Sequence, residues 1–215
     1  DLATPPADDW QWPALIAAAE CADFLRGDSA AAGKVRGYLR DDRKLTDSTI
    51  HDHMIGFNPA GRMVDGCWLA PGVTIPCMVD GELWYVQVRT TAAARAEAAA
   101  NGRKLDKYHA LKGSKLGALF NADTLIGARA VFVVEGEFDA MVLGQYVPPD
   151  VAVVTMGSAG SLPGVTWGAY FAAVRDIILL LDDDDAGRQA LARWQKRLPR
   201  ARSAQLPDGS KDVTD

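Results

Sequence analysis

Ala130-Val131-Phe132-Val133-Val134-Glu135-Gly136-Glu137-Phe138-Asp139 is an unbroken apolar run that ends abruptly in acids. Five consecutive apolar residues predict a strand covered on both faces, as in a parallel sheet. The acids after it predict a helix start, with a helix running from about Phe138 to Gln145. The pattern repeats downstream. Val151 to Thr155 forms a second strand, Gly157-Ser158-Ala159-Gly160 a tight loop, and a helix continues to about Val174. Asp176 to Leu181 is the third strand, Asp185 to Leu198 the third helix, and Ala201 to Leu206 a candidate fourth strand. Strands alternating with helices imply a mainly parallel α/β sheet with right-handed crossovers.

In such a sheet, function collects just past the C-terminal ends of strands. Glu135-Gly136-Glu137-Phe138-Asp139 follows the first strand and Asp182-Asp183-Asp184-Asp185-Ala186-Gly187-Arg188 follows the third. Four adjacent aspartates repel one another unless a cation compensates them. Mg²⁺ suits the position, being a hard ion that takes one or two carboxylates together with phosphates and water. If the chain stays extended beyond Leu181, Asp182 and Asp184 share one side and Asp183 points away. Gly136 permits close backbone approach after Glu135, and Gly187 permits a tight entry into the helix. Taken singly, each cluster also reads as a helix-start carboxylate or a solvated acidic turn. A third acidic group, Asp208, Asp212 and Asp215, closes the chain.

Upstream the periodicity differs. Apolar residues at helical spacing predict a helix from Trp10 to Arg26, a second from about Ser29 to Arg40, and a short third from Ser48 to Met54. Val73 to Met78 and Leu83 to Val88 are β-rich, with the hairpin signal Asp80-Gly81 between them. Ala92 to Asn101 reads as a helix or a flexible excursion, and Lys107 to Lys115 as a loop. The expected division is therefore 1–127 as an α+β unit and 128–215 as the α/β unit.

Of the 215 residues, 48% are hydrophobic, enough for a buried core, yet no apolar run approaches the ~20 residues of a membrane span. The net charge of −5 argues against a nucleic-acid partner until its distribution is considered. From Arg89 to Lys115 there are seven basic residues and two acidic ones, whereas from Ala128 onward nine basic face twelve acidic. That suits phosphate binding on one wall and metal on the other; a solvated loop would give the same pattern. Cys21, Cys67 and Cys77 are too scattered for a disulfide framework or a zinc site, and read as reduced thiols of a cytoplasmic protein. The chain opens Asp1-Leu2-Ala3 with no Met and no signal segment, as a piece of a longer protein would.

Glu135, Gly136 and Asp139, followed by Asp182, Asp184 and Gly187, resemble the Toprim domain of DnaG-type primases, type IA and type II topoisomerases and some nucleases. Glu-Gly-Glu-Phe-Asp, Met156-Gly157-Ser158, Asp185-Ala186-Gly187-Arg188 and Lys211-Asp212 resemble the primase-helicase branch typified by phage proteins and Twinkle. Tyr38-Leu39, Arg43-Lys44-Leu45, Thr49-Ile50 and Ile55-Gly56-Phe57-Asn58-Pro59 resemble that family's N-terminal subdomain, which usually has Gly where Lys44 stands. Ile75-Pro76, Arg89, and Lys107-Tyr108 before Leu119-Phe120 resemble its basic nucleotide-contact region.

The resemblance implies a Toprim, Rossmann-like sheet preceded by a smaller α+β primase subdomain. It implies an RNA-primer-synthesising nucleotidyltransferase acting on single-stranded DNA with nucleoside triphosphates. Glu135, Asp182 and Asp184 would be catalytic. The same three with Asp212 would hold Mg²⁺, or Mn²⁺ in its place. Arg89, Lys107, Lys112 and Lys115 would neutralise phosphates. A replicative helicase, in cis or in trans, is the implied partner. The family's zinc ribbon has no Cys set here, and no helicase P-loop is present. Two other readings use the same residues: a Toprim nuclease or strand-passage enzyme, and a non-catalytic nucleic-acid-binding module. Tyr38, Tyr85, Tyr108, Tyr146 and Tyr170 show no context for a topoisomerase nucleophile.

Overall fold

A computed structural model describes residues 3–158, 160–182 and 184–204. The chain divides into two compact units, one of residues 5–116 and one of residues 117 onward joined by the N-terminal residues up to Thr4. Residues 117–127 join the second because they pair with its sheet. The Phe120 amide donates to the Thr155 carbonyl at 2.9 Å, and Asn121 Nδ2 donates to the Val153 carbonyl at 3.2 Å. None of the described helices is long and apolar enough to cross a membrane.

The first unit begins with α1 (Asp8–Arg26) and α2 (Ala30–Gly37), continues through a π-helical turn (Tyr38–Asp42), and reaches α3 (Asp47–Asp52). Its strands are β1 (Gly56–Asn58), β2 (Arg62–Val64), β3 (Cys67–Leu69), β4 (Gly72–Val79), β5 (Glu82–Thr90) and, after α4 (Ala92–Ala100), β6 (Tyr108–Ala110). An antiparallel sheet runs β1-β4-β5-β6, and β2 pairs with β3 as a separate ribbon. The buried stripe of α1, Ala14, Ala17, Ala18 and Cys21, packs with Leu69, Val86, Val88 and Leu111. Small side chains let the helix lie close to the sheet. At Gly56 a Cβ would meet the Ala22 nitrogen and the Cys21 carbonyl carbon at 2.5 Å.

Three expectations need correction here. The 107–115 stretch contains a strand, β6, whose backbone completes the edge of β5 although Tyr-His-Ala carries no hydrophobic alternation. The helix expected to reach Arg40 leaves α-geometry after Gly37, and the Arg43 amide bonds the Tyr38 carbonyl five residues back. The third expected strand ends at Leu179 rather than Leu181. The π-turn exits through Lys44, whose φ of +58° is a left-handed conformation that favours glycine. The Lys44 ammonium donates to the Asp41 carbonyl at 2.6 Å and helps hold that turn.

The second unit contains a 3₁₀ turn (Ala122–Leu125), β7 (Ala130–Val134), α5 (Glu137–Gly144), β8 (Val151–Thr155), α6 (Val165–Ala172), β9 (Asp176–Leu179), α7 (Asp185–Arg197) and β10 (Arg202–Ser203). The sheet order is β10-β9-β7-β8, with every pairing parallel. Phe171 and Trp194 meet edge to face over this sheet's helical layer, both nearly inaccessible to solvent. The chain leaves β7 toward β8 on one side and leaves β9 toward β10 on the other. The crevice between the C-terminal ends of β7 and β9 is therefore the topological switch point, where open α/β sheets bind ligands.

Candidate functional site

Glu135 follows β7 directly and Asp182 follows β9 by three residues, so both sit at that switch point. Glu135 Oε1 accepts the Asp182 backbone N–H at 3.0 Å. Its own carbonyl accepts the Thr155 hydroxyl at 2.8 Å, and that hydroxyl in turn accepts the Gly157 N–H at 2.9 Å. The ends of β7, β8 and β9 are thus fastened at Glu135, β9 through its carboxylate and β8 through its main-chain carbonyl. Glu135 is half-buried, and its pKa is raised. Burial is the main cause, the Asp184 charge adds to it, and the Asp182 N–H opposes it.

Asp184 is the N-cap of α7, accepting the Gly187 N–H on Oδ1 at 2.7 Å. Gly187 is required by space rather than by φ. A Cβ there would stand 2.1 Å from the Asp182 carbonyl oxygen and 3.2 Å from Glu135 Oε1. Asp139 plays a lesser part: its Oδ2 accepts the Gly136 N–H at 3.1 Å and closes the start of α5.

The structure therefore brings Glu135, Asp182 and Asp184 together. Asp182 is half-buried and Asp184 exposed. Asp183, Asp212 and Asp215 lie outside the described residues. Among the described residues, no three His, Cys, Asp or Glu side chains converge as a closed metal cage. Mg²⁺ does not require one, since it commonly uses one or two carboxylates and completes its shell with phosphates and water. The donors present are oxygen only, and a negative neighbour already disfavours the charge on Glu135. A divalent cation placed beside them would relieve that repulsion.

The four basic candidates belong to the first unit. Arg89 on β5 lies opposite Tyr108 on β6. Its Nη1 donates to the Tyr108 hydroxyl at 2.7 Å, and its guanidinium carbon is 5.4 Å from the ring centroid. Lys107 Nζ lies 5.9 Å from the same ring centroid. Arg89 and Lys107 are therefore one cluster about Tyr108. Lys112 and Lys115 are exposed on the segment after β6; the Lys112 carbonyl accepts the Trp10 indole N–H and the Lys115 amide donates to the Trp84 carbonyl.

Sequence reasoning gave no role to Thr155, and named Tyr108 and Glu137 only within motifs, without the contacts they make. A threonine at a strand end signals nothing by itself. Glu137 is buried at the first turn of α5, with Oε1 placed 3.3 Å from where a Cβ on Gly157 would stand. The sequence shows only a second acid two residues after Glu135; the burial of Glu137 is visible in the structure alone.

Residues 132–215 match the Toprim-like family Toprim_2. Over 111 residues, 49% of this chain, the sequence is 36% identical to the DNA helicase/primase of Enterobacteria phage T3. That alignment spans 20% of the phage protein's length. The fold is shared with the E. coli primase catalytic core at a TM-score of 0.69 and 21% identity, covering 94% of this chain and 74% of that one. The primase domains seen with bacteriophage T7 lagging-strand DNA polymerase, an RNA/DNA hybrid and dTTP match at a TM-score of 0.56 and 25% identity, covering 80% of each chain.

Proposed function

We propose that this chain, which carries a Toprim-like domain and has the fold of DnaG catalytic cores, is a DNA-dependent primase core that makes short primers on single-stranded DNA. The observation that carries the reading is the junction of Glu135 with Asp182 at the switch point, with Asp184 capping the next helix beside it. The likeness to a phage helicase/primase supports the same reading and favours a replicative helicase as partner, in cis or in trans.

Asp182, Asp184 and Glu135, with Asp212, would hold Mg²⁺ or Mn²⁺, which when bound neutralises the charge developing on the triphosphate during in-line displacement. Glu135 has the raised pKa of a group suited to accept a proton, and its reading here is to assist removal of the proton from the primer 3′-hydroxyl. Arg89 and Lys107, set about Tyr108, contribute phosphate contacts. Lys112 and Lys115 add exposed positive charge for the template backbone.

Incubation with single-stranded DNA, nucleoside triphosphates and Mg²⁺ tests the proposal. The wild type yields short primers, and the Asp182→Asn/Asp184→Asn double variant loses at least about 100-fold, the order expected when electrostatic stabilisation is removed. Equal activity in the double variant would refute the site. Metal-dependent nicking with no incorporation would support the nuclease reading instead.

A further inference from the structure

Thr155 closes β8 and is fully buried, a polar residue at the end of an apolar strand. Val134 and Thr155 are the last pair of the β7–β8 ladder. Beyond that pair the Thr155 side chain joins the two chains. Its hydroxyl donates to the Glu135 carbonyl at 2.8 Å and accepts the Gly157 N–H at 2.9 Å. A hydroxyl has one proton to give, and here it goes to Glu135.

Thr155 is itself held in a fixed frame. β8 lies at the edge of its sheet, and residues 120 and 121 cover that edge. The Phe120 amide bonds the Thr155 carbonyl at 2.9 Å, and Asn121 Nδ2 bonds the Val153 carbonyl at 3.2 Å. On the other side the chain turns at Gly157, whose φ of +76° is left-handed. A Cβ there would stand 3.3 Å from Glu137 Oε1, so this turn packs close against the start of α5. From this frame the bonds run in series toward β9. Thr155 fixes the main chain of Glu135, and Glu135 Oε1 fixes the Asp182 N–H at 3.0 Å. A glutamate side chain turns about several torsions, so its carboxylate is aimed only when its main chain is held.

We propose that Thr155 is a positioning residue for nucleotidyl transfer: its hydroxyl sets where the main chain of Glu135 leaves β7, and so aims the Glu135 carboxylate at Asp182 and at the reacting atoms. The proposal rests on the primase reading for the reaction, though not for the aim at Asp182. Valine at this position keeps the shape and strips the Glu135 carbonyl and the Gly157 N–H of their shared partner. Serine keeps the hydroxyl and loses only a methyl group.

The test combines amide hydrogen exchange of the whole chain, read residue by residue by NMR, with extension of a primer annealed to its template. Thr155→Val is expected to speed exchange of the Asp182 amide about tenfold, as a local opening at a site the substitution does not touch. It is also expected to lower kcat by about 10–100-fold at unchanged nucleotide KM, the range for loss of a support behind a reacting group. Thr155→Ser should restore most of both. Val154→Ala removes buried bulk from the same strand and controls for general loosening; its folded fraction should keep the wild-type kcat and Asp182 exchange. Unchanged Asp182 exchange and kcat in Thr155→Val, or equal changes in Val154→Ala, would overturn the proposal. Failure of Thr155→Ser to restore them would overturn it as well, because the hydroxyl would not be the cause. Faster Asp182 exchange in Thr155→Val, with no primer extension by the wild type, would uphold the aiming of Glu135 and overturn the primase reading.

Discussion

Glu135 Oε1 accepts the backbone N–H of Asp182 at 3.0 Å, so the carboxylate after β7 fixes the chain leaving β9. This bond brings two acidic segments, 47 residues apart in sequence, into one site. The same N–H partly offsets the raised pKa that burial and the Asp184 charge give Glu135.

Gly187 is the steric partner of that bond. Gly187→Ala should lower stability by about 1–3 kcal/mol, the ordinary range for overpacking, because the added methyl meets the Asp182 carbonyl. Catalysis should fall further than stability, since the displaced atoms are those of Glu135 and Asp182. Thermal unfolding together with primer synthesis at a temperature where the variant stays folded separates the two effects.

Asp184 carries a structural and a chemical role that substitution can divide. Asp184→Asn keeps an oxygen to cap α7 through the Gly187 N–H but removes the charge. Asp184→Ala removes both. The Asn variant should unfold near the wild-type midpoint and lose activity. The Ala variant should lose activity and about 1 kcal/mol of stability as well. Denaturant titration of the pair reads the cap, and nucleotide incorporation reads the charge.

Lys44 occupies a left-handed position at φ +58°. Replacing it by glycine removes a Cβ penalty of roughly 1–2 kcal/mol and loses the ammonium bond to the Asp41 carbonyl. Lys44→Gly should therefore stabilise the chain, by about 1 kcal/mol or less, with the denaturation midpoint as the measure. A fall in that midpoint would show that the Asp41 contact outweighs the backbone strain.

His53 gives the protein an acid-sensitive step. Burial is the main cause of its lowered pKa, with the Asp52 charge opposing. The folded state thus resists a proton that the unfolded chain accepts near its ordinary value of about 6.5. The stability this contributes is complete above that value and is lost as pH falls toward the lower folded pKa. Melting temperatures measured from pH 7.5 to 5.5 should decline, and His53→Gln should decline less over the same interval.

Much of the second unit was legible because its strands are continuous apolar runs and its acids stand at their ends. Ala130 to Val134 and Val151 to Thr155 fall where the periodicity puts them. The three-residue strands β1, β2 and β3 were not legible, being shorter than any window in which alternation can be seen. β6 escaped notice because its strand character comes from backbone pairing with β5, not from its side chains. In the site, Glu135, Asp182 and Asp184 could be singled out by charge and position. The contribution of Thr155 could not, nor could the bond of Tyr108 to Arg89, because each depends on a partner distant in sequence.

Glu135 and its neighbouring aspartates are proposed to perform nucleotidyl transfer. Extension of a primer already annealed to single-stranded DNA tests it most directly, because initiation is bypassed. Glu135→Gln retains an oxygen for the Asp182 N–H and nearly the same volume, so it should fold as the wild type does. Wild type with Mg²⁺ should extend the primer, and Glu135→Gln, folded and still binding the strand, should be slower by at least about 100-fold, the scale of a lost acid–base or electrostatic contribution. Extension by Glu135→Gln at the wild-type rate would contradict it.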